Sequence, residues 1–302
     1  MRRSLALLIL LAAFFMLPVA AWAGDLHVLL ILSDNTPPYQ SFAKKLKDSL
    51  PSSIQLTIQE AGKPAVASSD LVVTVGMKAA ETAISNPRGP ILAVMIPKIG
   101  YDNLIVARSI PQDISAIYLD QPWGRQLKFL SAVMPNLNKV GLIYSPENHP
   151  EISTLLNTAT SHGSTVVAQM VRSEDGLFAS LEKVLSDSDV LLAIPDGRIY
   201  NASNIRNILL TSYRHKVPLI GFSQGYVNAG SLAAIFTPPE QVAVQTARQL
   251  IAFEQKRVLA APRYPDQFTI AVNLQVARSL GLTLPSEDLI RKRMSDSGEG
   301  SR

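Results

Sequence analysis

Ser188-Asp189-Val190-Leu191-Leu192-Ala193-Ile194-Pro195-Asp196 passes from a polar turn through an unbroken apolar run to a proline and a carboxylate. A short run that is apolar on both faces predicts a strand buried inside a parallel sheet, with helices covering each side. The same reading predicts neighbouring strands at Val140 to Tyr144, Thr165 to Met170 and Pro218 to Phe222. Segments of helical period separate them: Trp123 to Met134, Pro150 to His162, Gly176 to Leu185 and Ile205 to His215. Asn201 to Asn204 and Pro150 sit where helix starts are favoured.

A second such unit precedes this one. Strands are predicted at Leu26 to Leu32, Ile54 to Ile58, Leu71 to Val75 and Ile91 to Ile96, with helices at Tyr39 to Leu50 and Met77 to Ile84. The alternation predicts an α/β protein of two Rossmann-like lobes with parallel sheets. Elements left over after two sheets must return to a lobe already built. These are Ser231 to Phe236, a helix from Glu240 to Glu254, a strand from Phe268 to Val272, and helices from Leu274 to Leu280 and Glu287 to Met294. Crossings near residues 119, 237 and 267 would join the lobes as a three-strand hinge. Residues 24–118 with 238–266 are expected to form lobe 1, and 119–237 with 267–294 lobe 2. The polar residues 295–302 are expected to be a disordered tail.

The first 23 residues differ from the rest. Arg2 and Arg3 precede an apolar run from Leu5 to Leu17, and Ala21-Trp22-Ala23 supplies small residues before a cleavage point at Gly24. This is the layout of a cleaved secretory signal peptide, and it predicts a periplasmic protein. Removing Arg2 and Arg3 from the 28 Lys+Arg leaves 26 against 24 Asp+Glu, a net of +2. That near-balance, with Arg291-Lys292-Arg293 the tight basic cluster, argues against a nucleic-acid partner. There is no cysteine, which excludes thiolate metal sites, and the four histidines show no metal-binding spacing. Neither a nucleophile elbow nor a phosphate-binding glycine loop is present, so no enzyme, cofactor or metal is expected.

Ligands of parallel α/β sheets sit outside the carboxyl ends of the strands. In lobe 1 those loops carry Ser33, Asp34, Asn35, Gly76, Met77, Lys78 and Lys98; in lobe 2 they carry Ser145, Asp196, Ser223, Gln224 and Tyr226. Donors and acceptors on both sides suit a small polar ligand gripped between lobes. Each has a plainer alternative. Ser33, Asp34 and Asn35 can cap a helix, Asp196 can be a turn carboxylate before Gly197, Lys78 can extend along the surface, and Tyr39 and Tyr226 can simply cover the rim.

From Ile114 to Leu284 the chain resembles the substrate-binding proteins of ABC transporters, in the tryptophan/tyrosine-type branch. The resemblance rests on Met134 to Tyr144, on Ser188 to Asp196, on Lys216 to Phe222 and on Ala229 to Ala234. Its most specific motif is Asn273-Leu274-Gln275-Val276-Ala277-Arg278-Ser279-Leu280-Gly281-Leu282-Thr283-Leu284-Pro285. It implies a periplasmic-binding-protein fold of type I, a small-molecule ligand held between the lobes by a monomer, and an inner-membrane permease or sensor as partner. An accessory role in outer-membrane uptake stays open as the alternative. Asp196 matches the family's carboxylate of the second lobe, whereas Gly76-Met77 replaces its usual Gly-Thr or Gly-Ser.

Overall fold

The structure, a computed structural model, describes residues 25–63, 68–87, 89–106, 113–161 and 163–296. The predicted signal peptide and most of the predicted tail lie outside them. Two sheets organise the chain. The first is five-stranded, in the order β2-β1-β3-β4-β5: β1 Leu26–Leu32, β2 Ile54–Glu60, β3 Leu71–Val75, β4 Ile91–Ile96 and β5 Ile114–Tyr118. All its pairings are parallel. Helices α1 Pro37–Ser49, α2 Met77–Ser85 and α3 Lys98–Val106 connect them.

The second sheet is six-stranded, in the order β11-β10-β9-β8-β6-β7. Its strands are β6 Lys139–Tyr144, β7 Thr165–Met170, β8 Val190–Leu192, β9 Leu219–Gly221, β10 Ala233–Phe236 and β11 Thr269–Val272. The predicted parallel sheet has one exception: β11 runs antiparallel to β10, because the chain re-enters this lobe from the far side of the hinge. Helices α4 Trp123–Val133, α5 His149–Ser161, α6 Leu177–Leu185, α7 Ile205–Arg214 and α8 Gln224–Ala229 belong to this half. After β10 come α9 Pro239–Lys256, and after β11 come α10 Leu274–Ser279 and α11 Glu287–Asp296.

Each sheet has its own core. In the first, Leu30 and Val73 of the sheet pack against Phe42 and Leu46 of α1 and Val242 and Leu250 of α9. Phe42 and Leu46 stand one helical turn apart and so share the buried face; truncating the fully buried Phe42 to alanine would cost about 3–5 kcal/mol. Helix α9 lies along α1, so the returning chain completes a lobe begun by the first strand. In the second core Leu142, Leu191 and Ile220 meet Phe129 and Leu130 of α4, Leu181 of α6, and Ile290 and Met294 of α11. Those last two anchors carry α11 to Asp296, so the predicted tail from residue 295 begins inside a helix.

The chain crosses between sheets three times: from β5 into α4, from β10 into α9, and from the segment after α9 into β11. The third segment is tied to the first at β5, where Arg263 N–H donates to Ala116 O at 2.9 Å and Tyr118 N–H to Arg263 O at 3.0 Å. Gln121 of the first crossing donates to Thr237 of the second at 2.9 Å, and Thr237 donates to Gln267 O of the third at 2.7 Å. The three strands thus form one hydrogen-bonded hinge.

Candidate functional site at the facing strand ends

In the first lobe the loop after β1 is shaped from beneath. The buried Ser33 hydroxyl donates to Val75 O at 2.8 Å and accepts from Ala79 N–H at 3.0 Å, joining the ends of β1 and β3 to the first turn of α2. Asp34 accepts from Thr36 N–H at 2.8 Å, closing an exposed turn, and Asn35 accepts from Gln40. Gly76 takes φ = 83°, where a side chain is strained, and a Cβ there would lie 2.5 Å from the Tyr39 hydroxyl. Tyr39 therefore roofs Gly76, and burial, reinforced by Asp34, raises its phenol above the ordinary value. Met77 is also committed: its sulfur would sit 2.6 Å from a Cβ on Gly100 of α3. Lys78 is exposed on the first turn of α2.

The loop after β4 leads to the hinge. A bulge at Met95 (φ 55°) shifts the register against β5 and re-aims the strand end. Lys98, predicted to lie in a loop, opens α3; Gly100 and the lack of an apolar stripe hide that helix from periodicity. Its N–H donates to Asp120 of the first crossing at 2.6 Å. Its ammonium donates to Asp102 at 2.6 Å and, across the lobes, to Glu151 in the first turn of α5 at 2.8 Å. Burial would lower the Lys98 pKa, but the two carboxylates outweigh it and raise it. Burial pushes the Asp120 carboxyl up to about 6, against the stabilising Lys98 N–H.

In the second lobe Asp196 is the organising residue. It is buried at the end of the β8 segment, and its Oδ2 accepts from Ser145 N–H at 2.7 Å and from the Asn148 amide at 2.9 Å. Its Oδ1 accepts from Arg198 N–H at 3.1 Å. A carboxylate with three donors is paired as burial requires, and it pins the β6 loop to the β8 loop. Asn201 locks the next turn: its side-chain oxygen accepts from Ser203 and Asn204 N–H, while its amide donates to Gly197 O and Arg198 O.

Ser223 precedes a helix rather than a loop. Gln224 and Tyr226, predicted in a strand-end loop, form the first turn of the six-residue α8, whose brevity and Gly225 mask its period. Gln224 donates to Asn228 within that helix at 2.9 Å. Tyr226 lies over Gly221, where a Cβ would approach to 2.3 Å, its ring 4.4 Å from Phe222 and its hydroxyl donating to Tyr200 O at 3.1 Å.

These elements leave a cavity of about 290 Å³ at the ends of β6, β7 and β8. Ser145 lines it, with Val171, Leu177 and Ile199 as apolar walls and Arg172 and Arg198 among its polar residues. Arg198 also pairs with Glu147. Arg172, absent from the residues expected from sequence, follows the edge strand β7, and the strand-end rule extended to that loop points to it. No group of acidic, histidine or cysteine residues fit to hold a metal occurs among the described residues. No described helix is long and apolar enough to cross a membrane.

Comparison with known proteins agrees with this architecture. A family model described as ABC transporter substrate binding protein matches residues 51–294. A conserved domain protein from Vibrio cholerae O1 biovar El Tor str. N16961 is 19% identical, with a TM-score of 0.64 over 88% of this chain and 98% of that one. An ABC domain in complex with L-Trp from Streptococcus pneumonia is 18% identical, TM-score 0.65, over 88% and 98%. The ligand-free, open form of a substrate-binding protein with adhesive properties from Clostridium difficile is 17% identical, TM-score 0.68, over 87% and 97%. At these identities the structural likeness speaks for the fold. No curated protein matches the chain.

Proposed function

The chain belongs to the ABC transporter substrate-binding protein family, and from that premise we propose that it captures a small polar solute between its lobes and hands it to an ABC importer. The observation that carries this reading is the Lys98–Glu151 contact. It joins the first turn of the helix after β4 to that of the helix after β6, with the carboxyl ends of the parallel strands of the two sheets on either side. That is where parallel sheets bind ligands, and the hinge of three crossings allows the facing loops to close on one.

In this reading the exported protein, freed of residues 1–23, binds its solute in the periplasm. Asp196 and Ser145 shape the second-lobe half, while Ser33, Tyr39 and Gly76 form the opposing wall. Closure excludes water, and the bound solute shifts the population toward the closed form through its contacts with both lobes. No reacting group is required, because the residues at the strand ends are paired with each other rather than arranged as nucleophile and base.

A thermal-shift screen of the exported protein against amino acids, nucleosides, small peptides and organic anions tests the proposal. A solute at a hundred times its dissociation constant adds about 2.7 kcal/mol of stability, a shift of a few degrees at this size. The expected result is a stabilising solute whose effect weakens when Ser145 or Tyr39 is replaced. A folded, ligand-free preparation that responds to none of the classes overturns the capture reading.

A further inference from the structure

Resting on that reading, we infer that the second-lobe cavity seats a carboxylate carried on a small apolar body, with Arg172 as its principal partner and Arg198 as its second. The floor and the rim of the cavity differ in chemistry. Val171, Leu177 and Ile199 are buried and present hydrocarbon, whereas Arg172 and Arg198 are exposed and bring two guanidinium groups to the same cavity. A guanidinium is a planar fork that matches a carboxylate with two parallel hydrogen bonds.

The surrounding charges decide which of the two is available. Glu147 already engages Arg198. Asp196 is occupied on both oxygens by Ser145, Asn148 and Arg198 N–H groups. Among the described residues no carboxylate stands within ion-pair distance of Arg172. Among the described side chains Arg172 thus offers one guanidinium fork to the cavity, which matches a single carboxylate better than a dianionic phosphate. The remaining donors of Arg198, fixed by the Asp196 and Asn201 turns, complete the grip. Across the cleft, Asp34 and Lys78 are the exposed charges on the facing loops, and they balance each other. The anionic preference thus lives in the second lobe alone.

The test uses the exported protein and matched probes: isovalerate, 4-methylvalerate, phenylacetate and indole-3-acetate, the carboxamide and the amine of each, and inorganic phosphate. Thermal shift screens them, and isothermal titration follows on every probe that stabilises. At least one carboxylate is expected to bind, with its carboxamide and amine at least tenfold weaker and phosphate inactive. Arg172→Gln, an exposed change that leaves both cores intact, is expected to weaken the carboxylate at least tenfold. Arg172→Lys, which keeps the charge but loses the fork, should fall between.

Equal binding of acid and amide, an affinity unchanged in Arg172→Gln, or binding of phosphate alone overturns the inference. So does the absence of any response to the carboxylates. If amines or neutral solutes bind instead, the carboxylate seat fails while capture between the lobes stands. If nothing in either screen binds, both fail together.

Discussion

In the first lobe the strand-end loops are filled by their own side chains: Ser33 bonds to β3 and α2, Tyr39 covers Gly76, and Met77 packs under Gly100. In the second lobe one buried carboxylate ties the β6 loop to the β8 loop, and beside them lies a cavity with two arginines. The same sheet-and-helix unit has thus produced a wall on one side and a pocket on the other. The contrast assigns different work to the lobes. Selectivity is expected in the second, and closure against a preset surface in the first.

The sharpest way to break this comparison is Asp196→Ala. It would strand Ser145 N–H, the Asn148 amide and Arg198 N–H without an acceptor, at a cost of about 3–4 kcal/mol to the second lobe. Urea unfolding without any solute should show the loss. A variant of unchanged stability would mean the pocket is not built on that carboxylate. Next in size is Gly76→Ala, where positive φ and the close Tyr39 and Ser33 oxygens together should cost about 2 kcal/mol in the first lobe. A near-neutral result in thermal unfolding would show that the first wall yields and is not preset.

A smaller effect tests the hinge between them. The Asp120 carboxyl is raised by burial from 3.8 to about 6, so its folded-state preference for the proton stabilises below pH 4 and is lost as pH rises through 6. Asp120→Asn keeps an acceptor for Lys98 N–H and removes the cost of ionisation. It should gain about 1 kcal/mol, a few degrees, above pH 6 and nothing near pH 4. Melting curves across that range read it directly, and a gain independent of pH contradicts it.

The smallest effect on stability belongs to Glu151→Gln. Lys98 keeps Asp102, so under about 1 kcal/mol should be lost, yet the separation of the lobes should widen. The protein has no cysteine, so Lys44→Cys and Leu156→Cys give two clean spin-label positions, one per lobe. An unchanged distance distribution would remove Lys98–Glu151 as a determinant of opening.

Apolar patterning made most of the fold legible. Val190 to Leu192 is a continuous apolar run, and Leu71 to Val75 is broken by Thr74 alone, because both faces of a central parallel strand are covered. It failed where helices are too short or too mixed to show a face, as in α3 with Gly100 and α8 with Gly225. The site was legible only as positions. Asp196 could be placed at a strand end, but its partners Ser145 and Asn148 lie far away in the chain and meet it only through β6–β8 pairing. That pairing lets the same carboxylate tie the two loops together.

The packing of α9 on α1 bears on the order of folding. The first lobe begins at β1 but is covered by α9, which emerges only after every strand from β6 to β10 has been made. The second lobe in turn takes β11 and α11 from chain made after α9, so each lobe is finished by a segment that follows the start of the other. The opening third of the chain must wait with one apolar sheet face covered by α1 alone, which makes it the stretch that a folding chaperone has most reason to hold.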